Sequence, residues 1–525
     1  MTTFRTILSL CLLVSTAWAL PAEAATIDWK SDAGTAAWAT GTNWVGDIAP
    51  ANDLTTDFAR FNQASYAFQP AAPNLRSVHG LVFGNDSSAT AAIAMTTGTN
   101  TNRLNIGGGG ILLNAESTAV AIGFGNSNAG VQLGASQAWT NNSSGLLTVT
   151  TLSNQSAAQD HTLTLNGTGS GGFTFTGTIR NEYDAGNTGT LSLVVDTGSS
   201  VQTRLAGSNN FTGSTTVTSG LLIYGRSAAR GGGSAVSVGA EGSIGLGVGS
   251  SGYFNATAVD QLFAGTLSGI TMNATSGVGI DTTQGNFTYA TNQSATRSLT
   301  KLGVNTLSLS GTNTYSGQTV VNAGTLAVNG SIAGSGVTVQ SGGTLSGSGS
   351  AGTSIAVQGG GTLAPGNSIE SLGTGHVTFS ADSTYAYEMN NDASPAVAGD
   401  LTFSSGDLTI AAGTILTLAE LGAGSWSMDE KLTLISYNGA WNNGVFTYDG
   451  NPLADDANFS FSGATWRINY NDALKGSNYT ADATGTFVTI TVVPEPGAIV
   501  LLGTGAAVLG LRLVRRRSVS VSDEH

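Results

Sequence analysis

The sequence predicts an all-β protein built on a parallel β-helix, a coil of short strands stacked along one axis. The first observation is a short internal repeat. Ala323-Gly324-Thr325-Leu326, Gly342-Gly343-Thr344-Leu345 and Gly360-Gly361-Thr362-Leu363 set their leucines 19 and then 18 residues apart. Between them stand Val337-Thr338-Val339 and Ile355-Ala356-Val357, again 18 apart. Each unit reads as a short alternating strand, a glycine turn, a second strand and a second turn. A strand of three to five residues has too small an apolar face to fold alone. Stacked on its copy about 4.8 Å above, it buries Leu or Val in a continuous interior column. The second observation is composition. Charged residues are 10% of the 525, hydrophobic residues 40%, and glycine occurs 74 times. That apolar content is too high for ordinary disorder, and the low charge with abundant Gly, Ser and Thr suits short strands joined by tight turns.

The chain opens with Arg5 ahead of an apolar run from Ile7 to Val14, and Ala22-Glu23-Ala24 places small residues three and one positions before a cut. This is the pattern of a secretory signal peptide over residues 1–24, cleaved after Ala24. The single cysteine, Cys11, falls inside it, so the mature chain is expected to hold no disulfide.

Residues 25–90 are expected to form an N-terminal cap, because the end rung of a solenoid exposes apolar columns and open strand edges. Trp29, Trp38 and Trp44 supply its aromatic content, together with Asp57-Phe58-Ala59-Arg60-Phe61-Asn62. Burial in the cap is the expected use of these tryptophans, in preference to a sugar-stacking platform.

The coil itself is placed at 91–370. Within it, Leu205-Ala206-Gly207-Ser208-Asn209-Asn210-Phe211-Thr212-Gly213 recurs 104 residues later as Leu309-Ser310-Gly311-Thr312-Asn313-Thr314-Tyr315-Ser316-Gly317. Both copies continue in register, through Val217 to Leu222 and Val321 to Leu326. This pattern resembles the autotransporter-associated β-strand repeat, over roughly residues 200 to 370. Phe211 and Tyr315 read as packing aromatics at coil corners. Residues 100 to 200 show only the general composition, with strands such as Thr162 to Leu165. After Leu363-Ala364-Pro365-Gly366-Asn367-Ser368, which resembles the family's exit from the ladder, longer and more aromatic strands begin. Residues 371–490 are therefore expected to be a separate C-terminal β region, closed by Trp441 and Trp466.

The end of the chain runs Val492-Val493-Pro494-Glu495-Pro496-Gly497, then an apolar stretch, then Arg512 and Arg515-Arg516-Arg517. Two prolines keep the backbone extended ahead of the apolar segment. A transmembrane helix is expected over 498–514, with the arginines on the cytoplasmic side. The arrangement over 491–525 resembles the PEP-CTERM sorting domain of Gram-negative bacteria, which implies recognition by an exosortase and delivery to the cell surface or extracellular matrix. In that resemblance Pro494, Glu495 and Pro496 match residue by residue. Arg515, Arg516 and Arg517 match by type and place. Autotransporters end in a membrane β-barrel closing through an aromatic residue. Here the apolar segment is followed by Ser522-Asp523-Glu524-His525, so the sorting tail is expected to replace self-transport. The membrane is thus a partner through the C-terminal helix before processing.

Catalytic candidates are few. Asp160-His161 is an acid–base pair in sequence, yet neighbours on a strand point to opposite faces. Glu241, Asp260 and Asp281 recur at about one rung, but their surroundings differ and no base accompanies them, so they read as separate solvated turns. The coil's one lysine is Lys301, and His79 and His376 stand alone. Zinc and EF-hand patterns are absent from the sequence, and Asp449-Gly450-Asn451 with Asp455-Asp456 reads as a polar turn in preference to a calcium loop. No catalytic residue, metal ligand or cofactor is therefore expected. With 32 acidic against 18 basic residues and a net charge of −14, nucleic acid is excluded as a partner. The expectation is a non-enzymatic exported rod of surface or matrix, in contact with exopolysaccharide. A coil of about 280 residues at roughly 20 per rung is about 65 Å long. A glycan- or cell-binding adhesin is the alternative, and a polysaccharide-degrading enzyme the second alternative.

Overall fold

The computed structural model describes residues 24–71, 75–85, 90–97, 103–124, 130–155, 159–181, 189–231, 235–392, 399–479 and 485–494. Ala22, Glu495, Pro496, Arg515, Arg516, Arg517 and the segment 498–514 lie outside them. No helix among the described residues is long and apolar enough to cross a membrane.

The chain winds as a coil whose strands pair in parallel with those of the next turn. The longest column begins at Ile93–Thr97 and runs through Gln202–Leu205, Gly277–Asp281 and Ser354–Val357 to Leu408–Ile410. The repeat lies within this coil in the expected register. Leu307, Leu326, Leu345 and Leu363 stand opposite one another on successive turns, and all are fully buried. Val321, Val339 and Val357 form the matching interior column on the next side. Burying each such leucine stabilises the coil by roughly 1.5–3 kcal/mol. At the corners, Gly324, Gly342 and Gly360 have φ of 62°, 78° and 77°, where a Cβ would be strained. Their amides close the corner ladder: Gly342 N–H donates to Gly360 O at 2.9 Å. Phe211 and Tyr315 are each 1% exposed, so both are packing residues.

Parallel pairing extends beyond 91 and 370. Ala25–Asp28 pairs with Asp57–Phe61, and that strand with Arg76–Phe83, so the segment expected as a cap already winds as coil. Trp29, Trp38 and Trp44 pack around Phe61 inside its first turn with ring centroids 5.0–6.3 Å apart, and all three indoles are buried. At the other end the sequence break near 370 is a change in side chains, while the ladder continues. Leu363 stacks under Tyr385, and Tyr385 under Leu416. Closure comes later. Ser371–Thr374, Leu401–Ser404 and Lys431–Tyr437 are parallel, after which Thr486–Val493, Ala464–Asp472 and Asn458–Phe461 add in antiparallel order. Trp466 is fully buried beneath that sheet.

Among the described residues one α-helix, Ala256–Ala264, interrupts the coil. Asn255 caps its N-terminus, its side chain accepting from Ala258 N–H, and Gly265 ends it in the left-handed region at φ 70°. Val259, Leu262 and Phe263 are buried, and Phe263 lies 6.0 Å from Tyr315. Beyond the helix, on the side that follows the long column in each turn, a new ladder starts at Phe287–Tyr289.

Candidate functional site

The helix is about 10 Å across, whereas a strand occupies about 4.8 Å of the axis. The stack is therefore wider where the helix enters, and the long column is drawn together. This closure is visible in one contact. Gln202 and Asn322 belong to the first and sixth of six successive strands of the long column, which on a flat sheet would stand about 24 Å apart. Instead the Gln202 side-chain amide donates to Asn322 Oδ1 at 3.1 Å. The outward residues beneath are small. A Cβ on Gly279 would lie 2.9 Å from Gly245 Cα and 3.3 Å from Leu221 and Leu302. Over these glycines Leu221, Ile223 and Leu302 form an apolar cluster separate from the interior core. Beside it Arg204 pairs with Asp281, whose carboxylate is 1% exposed and also accepts from Thr283 N–H and Oγ1.

The mouth of this elbow is a cleft of about 300 Å³. Leu221, Leu302 and Val320 contribute apolar surface, and Glu241, Ser243 and Ser298 contribute polar groups. A second, more open groove of about 740 Å³ follows the corner from Ala333 to Asn438, past Thr353, Phe403 and Ser405. No Lys or Arg lines either depression.

The titratable groups named from sequence occupy separate places. Asp160 is exposed and accepts from Thr190 N–H and Oγ1 at 2.7 and 2.9 Å, which hold its pKa below the usual carboxylate value. His161 points inward, 5% exposed, and burial pushes its pKa below the ordinary imidazole value. The two cannot share a proton. Glu241, Asp260 and Asp281 are neither a stack nor three solvated turns. Glu241 is exposed on Val236–Gly247, Asp260 sits on the helix and accepts from the Tyr289 hydroxyl at 2.5 Å, and Asp281 is buried against Arg204. Lys301 points into the coil, fully buried, and its ammonium donates to the carbonyls of Leu302, Gly303 and Ala323 at 2.8–2.9 Å. Burial lowers its pKa to about 8, with the Asp281 charge opposing. His79 packs edge-on against Phe58. His376 Nδ1 accepts from Asp407 N–H at 3.0 Å on the solvated rim of the corner groove.

Asp449 and Gly450 have φ of 46° and 74° between the antiparallel pairs Tyr448–Asn451 and Thr447–Pro452, which makes them a two-residue hairpin turn. Asp455 accepts from Tyr470 N–H and Asp456 from the Asn469 amide, so both carboxylates have partners in the fold. Among the described residues no group of three His, Cys, Asp or Glu is placed to hold a metal ion. Trp441 stacks on Tyr470 at 5.3 Å, and Trp466 is too deeply buried to meet a ligand.

One further buried acid was not singled out from sequence. Asp400 is 1% exposed and accepts from Glu388 and Glu370 N–H at 3.1 and 3.2 Å. Burial raises its pKa to about 8, reinforced by the Glu388 and Glu370 charges and opposed by those two hydrogen bonds.

Two of the residues expected from sequence to direct processing flank the described strands. Ala24 immediately precedes the first of them, Ala25–Asp28, and Pro494 immediately follows the last, Thr486–Val493. A family model described as the PEP-CTERM protein-sorting motif matches residues 492–517. A second, the passenger-associated-transport repeat, matches residues 299–328, which contain the second copy of the longer repeat. The chain thus carries a PEP-CTERM sorting motif and a passenger-associated-transport repeat. It is also 33% identical over 364 residues to the adhesin BmaC autotransporter of Brucella suis biovar 1 (strain 1330). The alignment covers 65% of this chain and 10% of the length of that relative.

Proposed function

We propose that the chain is a non-enzymatic structural protein of the surface or extracellular matrix of a Gram-negative bacterium, sorted by an exosortase and associated with exopolysaccharide. The observation that carries this reading is the uninterrupted parallel column from Ile93–Thr97 to Leu408–Ile410, whose fourteen strands span about 60 Å of contour at about 4.8 Å each. Such a column is a spacer with a large hydroxyl- and amide-bearing surface. The charged groups of the elbow support the same reading, because Arg204, Asp281 and Lys301 find their partners inside the fold. Export starts at the signal peptide with cleavage after Ala24, and the tail from Pro494-Glu495-Pro496 through Arg515-Arg516-Arg517 is held in the membrane until the sorting enzyme acts.

The test is expression of the full chain in an exosortase-positive host, with intact mass, cell fractionation and small-angle scattering of the product. A product beginning at Ala25, lacking everything beyond the Pro494–Pro496 region, elongated, and present in the surface or medium fraction supports the proposal. A compact particle rejects the rod, and a product that keeps its tail in a membrane fraction rejects sorting.

A second reading, an adhesin that binds a glycan or a cell, is favoured by the similarity to a protein described as an adhesin. Adherence of latex beads coated with the purified protein to cells, saturable and competed by soluble protein, is the outcome it requires.

A further inference from the structure

From the geometry of the elbow we infer that its cleft is a binding site for one or two sugar rings of an uncharged polysaccharide. The inference rests on the reading of the chain as an exported rod in contact with polysaccharide, and it gives that contact a location and a ligand class.

The cleft is built by the bend. Gly277 lies between Ser243 and Ser298 in the outward column, and a Cβ on it would stand 2.4 Å from Ser243 Oγ and 2.8 Å from Ser298 Oγ. Glycine therefore lets the two hydroxyls converge over it at the floor of the cleft. Glu241 stands beside them on the same strand as Ser243, and Thr300 on the same strand-side as Ser298. None of the side chains of Glu241, Ser243, Ser298 and Thr300 makes a hydrogen bond within the described chain, so their polar groups are available to a ligand. Leu221 and Leu302 supply an apolar patch at the base. The Gln202–Asn322 bridge fixes the distance between the walls.

This combination selects a ligand. Pockets of a few hundred Å³ with an apolar base and a few convergent polar groups suit small rings that carry both kinds of surface. A pyranose presents C–H groups on its faces and hydroxyls around its edge, and a carboxylate such as Glu241 can accept from neighbouring hydroxyls. An anionic sugar finds no cation: no Lys or Arg lines the cleft, Arg204 is paired with Asp281, and Lys301 is turned inward. A peptide adding as a strand finds no free edge there, because the strands bearing Ser243, Gly277 and Ser298 are paired on both sides.

The experiment is affinity electrophoresis of the exported full-length protein in gels containing hydroxyethyl cellulose, galactomannan or alginate. Glu241→Arg and Ser243→Trp obstruct the cleft from exposed or half-exposed positions, and Ser405→Arg obstructs the corner groove as a control. Thermal midpoints within about 2–3 °C of the parent certify that each variant folds. The expected result is retardation by at least one neutral polysaccharide and none by alginate. Affinity falls at least tenfold in both elbow variants and is unchanged in Ser405→Arg. Neutral-polysaccharide binding that survives both elbow variants overturns the site while leaving the polysaccharide reading intact. Absence of retardation by either neutral polymer overturns both, and preference for alginate overturns the ligand class.

Discussion

Gln202 and Asn322 are separated by 120 residues and stand on the first and sixth of six successive strands of one sheet, yet their side-chain amides meet at 3.1 Å. A regular β-helix is straight on each face, and this contact records where the coil departs from regularity. The helix Ala256–Ala264 is inserted between the strands Val236–Gly247 and Ile270–Met272, and the face carrying Gln202 closes over a floor of glycine.

The closure requires Gly279 to be small. Its Cβ position is 2.9 Å from Gly245 Cα, backbone that cannot rotate away. Gly279→Ala is expected to destabilise the protein by about 1–3 kcal/mol, seen as a lower denaturation midpoint in urea. An unchanged midpoint would mean that the outer face relaxes freely.

The Arg204–Asp281 pair tests how much the elbow depends on buried charge. Asp281→Ala leaves Arg204 without its carboxylate and exposes Lys301 to an unbalanced field, with an expected loss of about 3–5 kcal/mol. The double variant Arg204→Met, Asp281→Leu is expected to recover most of that loss, since apolar side chains need no desolvation. Equal destabilisation of both variants in urea would refute this account.

Asp400 gives a signed pH dependence. Its folded pKa of about 8 lies above an unfolded value of about 4, so the folded state holds the proton more tightly. Its contribution to stability is fully present below pH 4 and declines as pH rises towards 8. Subtracting the Asp400→Asn stability profile from the parent profile isolates this group from others, such as His161, whose depressed pKa acts in the opposite direction. The difference is expected to fall across that window, and a flat difference profile would contradict the assignment.

At the first turn, Trp44→Ala removes an indole that touches Trp29, Trp38 and Phe61. A loss of about 3–5 kcal/mol is expected, together with new protease sensitivity near the N-terminal end. Limited proteolysis followed by mass analysis reads both the site and the extent of opening.

What could be read from sequence follows the regularity of the coil. Leu326, Leu345 and Leu363 announce their stacking because each turn there has nearly the same length and a glycine at the same corner. Residues 100–200 wind in the same way, but Leu163 pairs with Gln137 on one side and Leu193 on the other, so the turns are unequal and no period emerges. The tryptophans of the first turn are legible as core, although the parallel pairing around them is not, since Ala25–Asp28 and Asp57–Phe61 share no pattern. Asn255 and Gly265 are recognisable helix caps that a β-repeat reading passes over. The elbow was hidden for a different reason. Arg204 and Asp281 are 77 residues apart, and only the bend that joins them explains why the Asp281 carboxylate is buried.

The last strand, Thr486–Val493, lies between Lys431–Tyr437 and Ala464–Asp472, antiparallel to both, and ends one residue before Pro494. Any tension transmitted through Pro494 is therefore directed along a strand gripped on two flanks. Its hydrogen bonds are loaded together in shear, where an edge strand such as Asn458–Phe461 would unzip one bond at a time. A pull on Pro494 would thus meet resistance from both neighbouring strands at once.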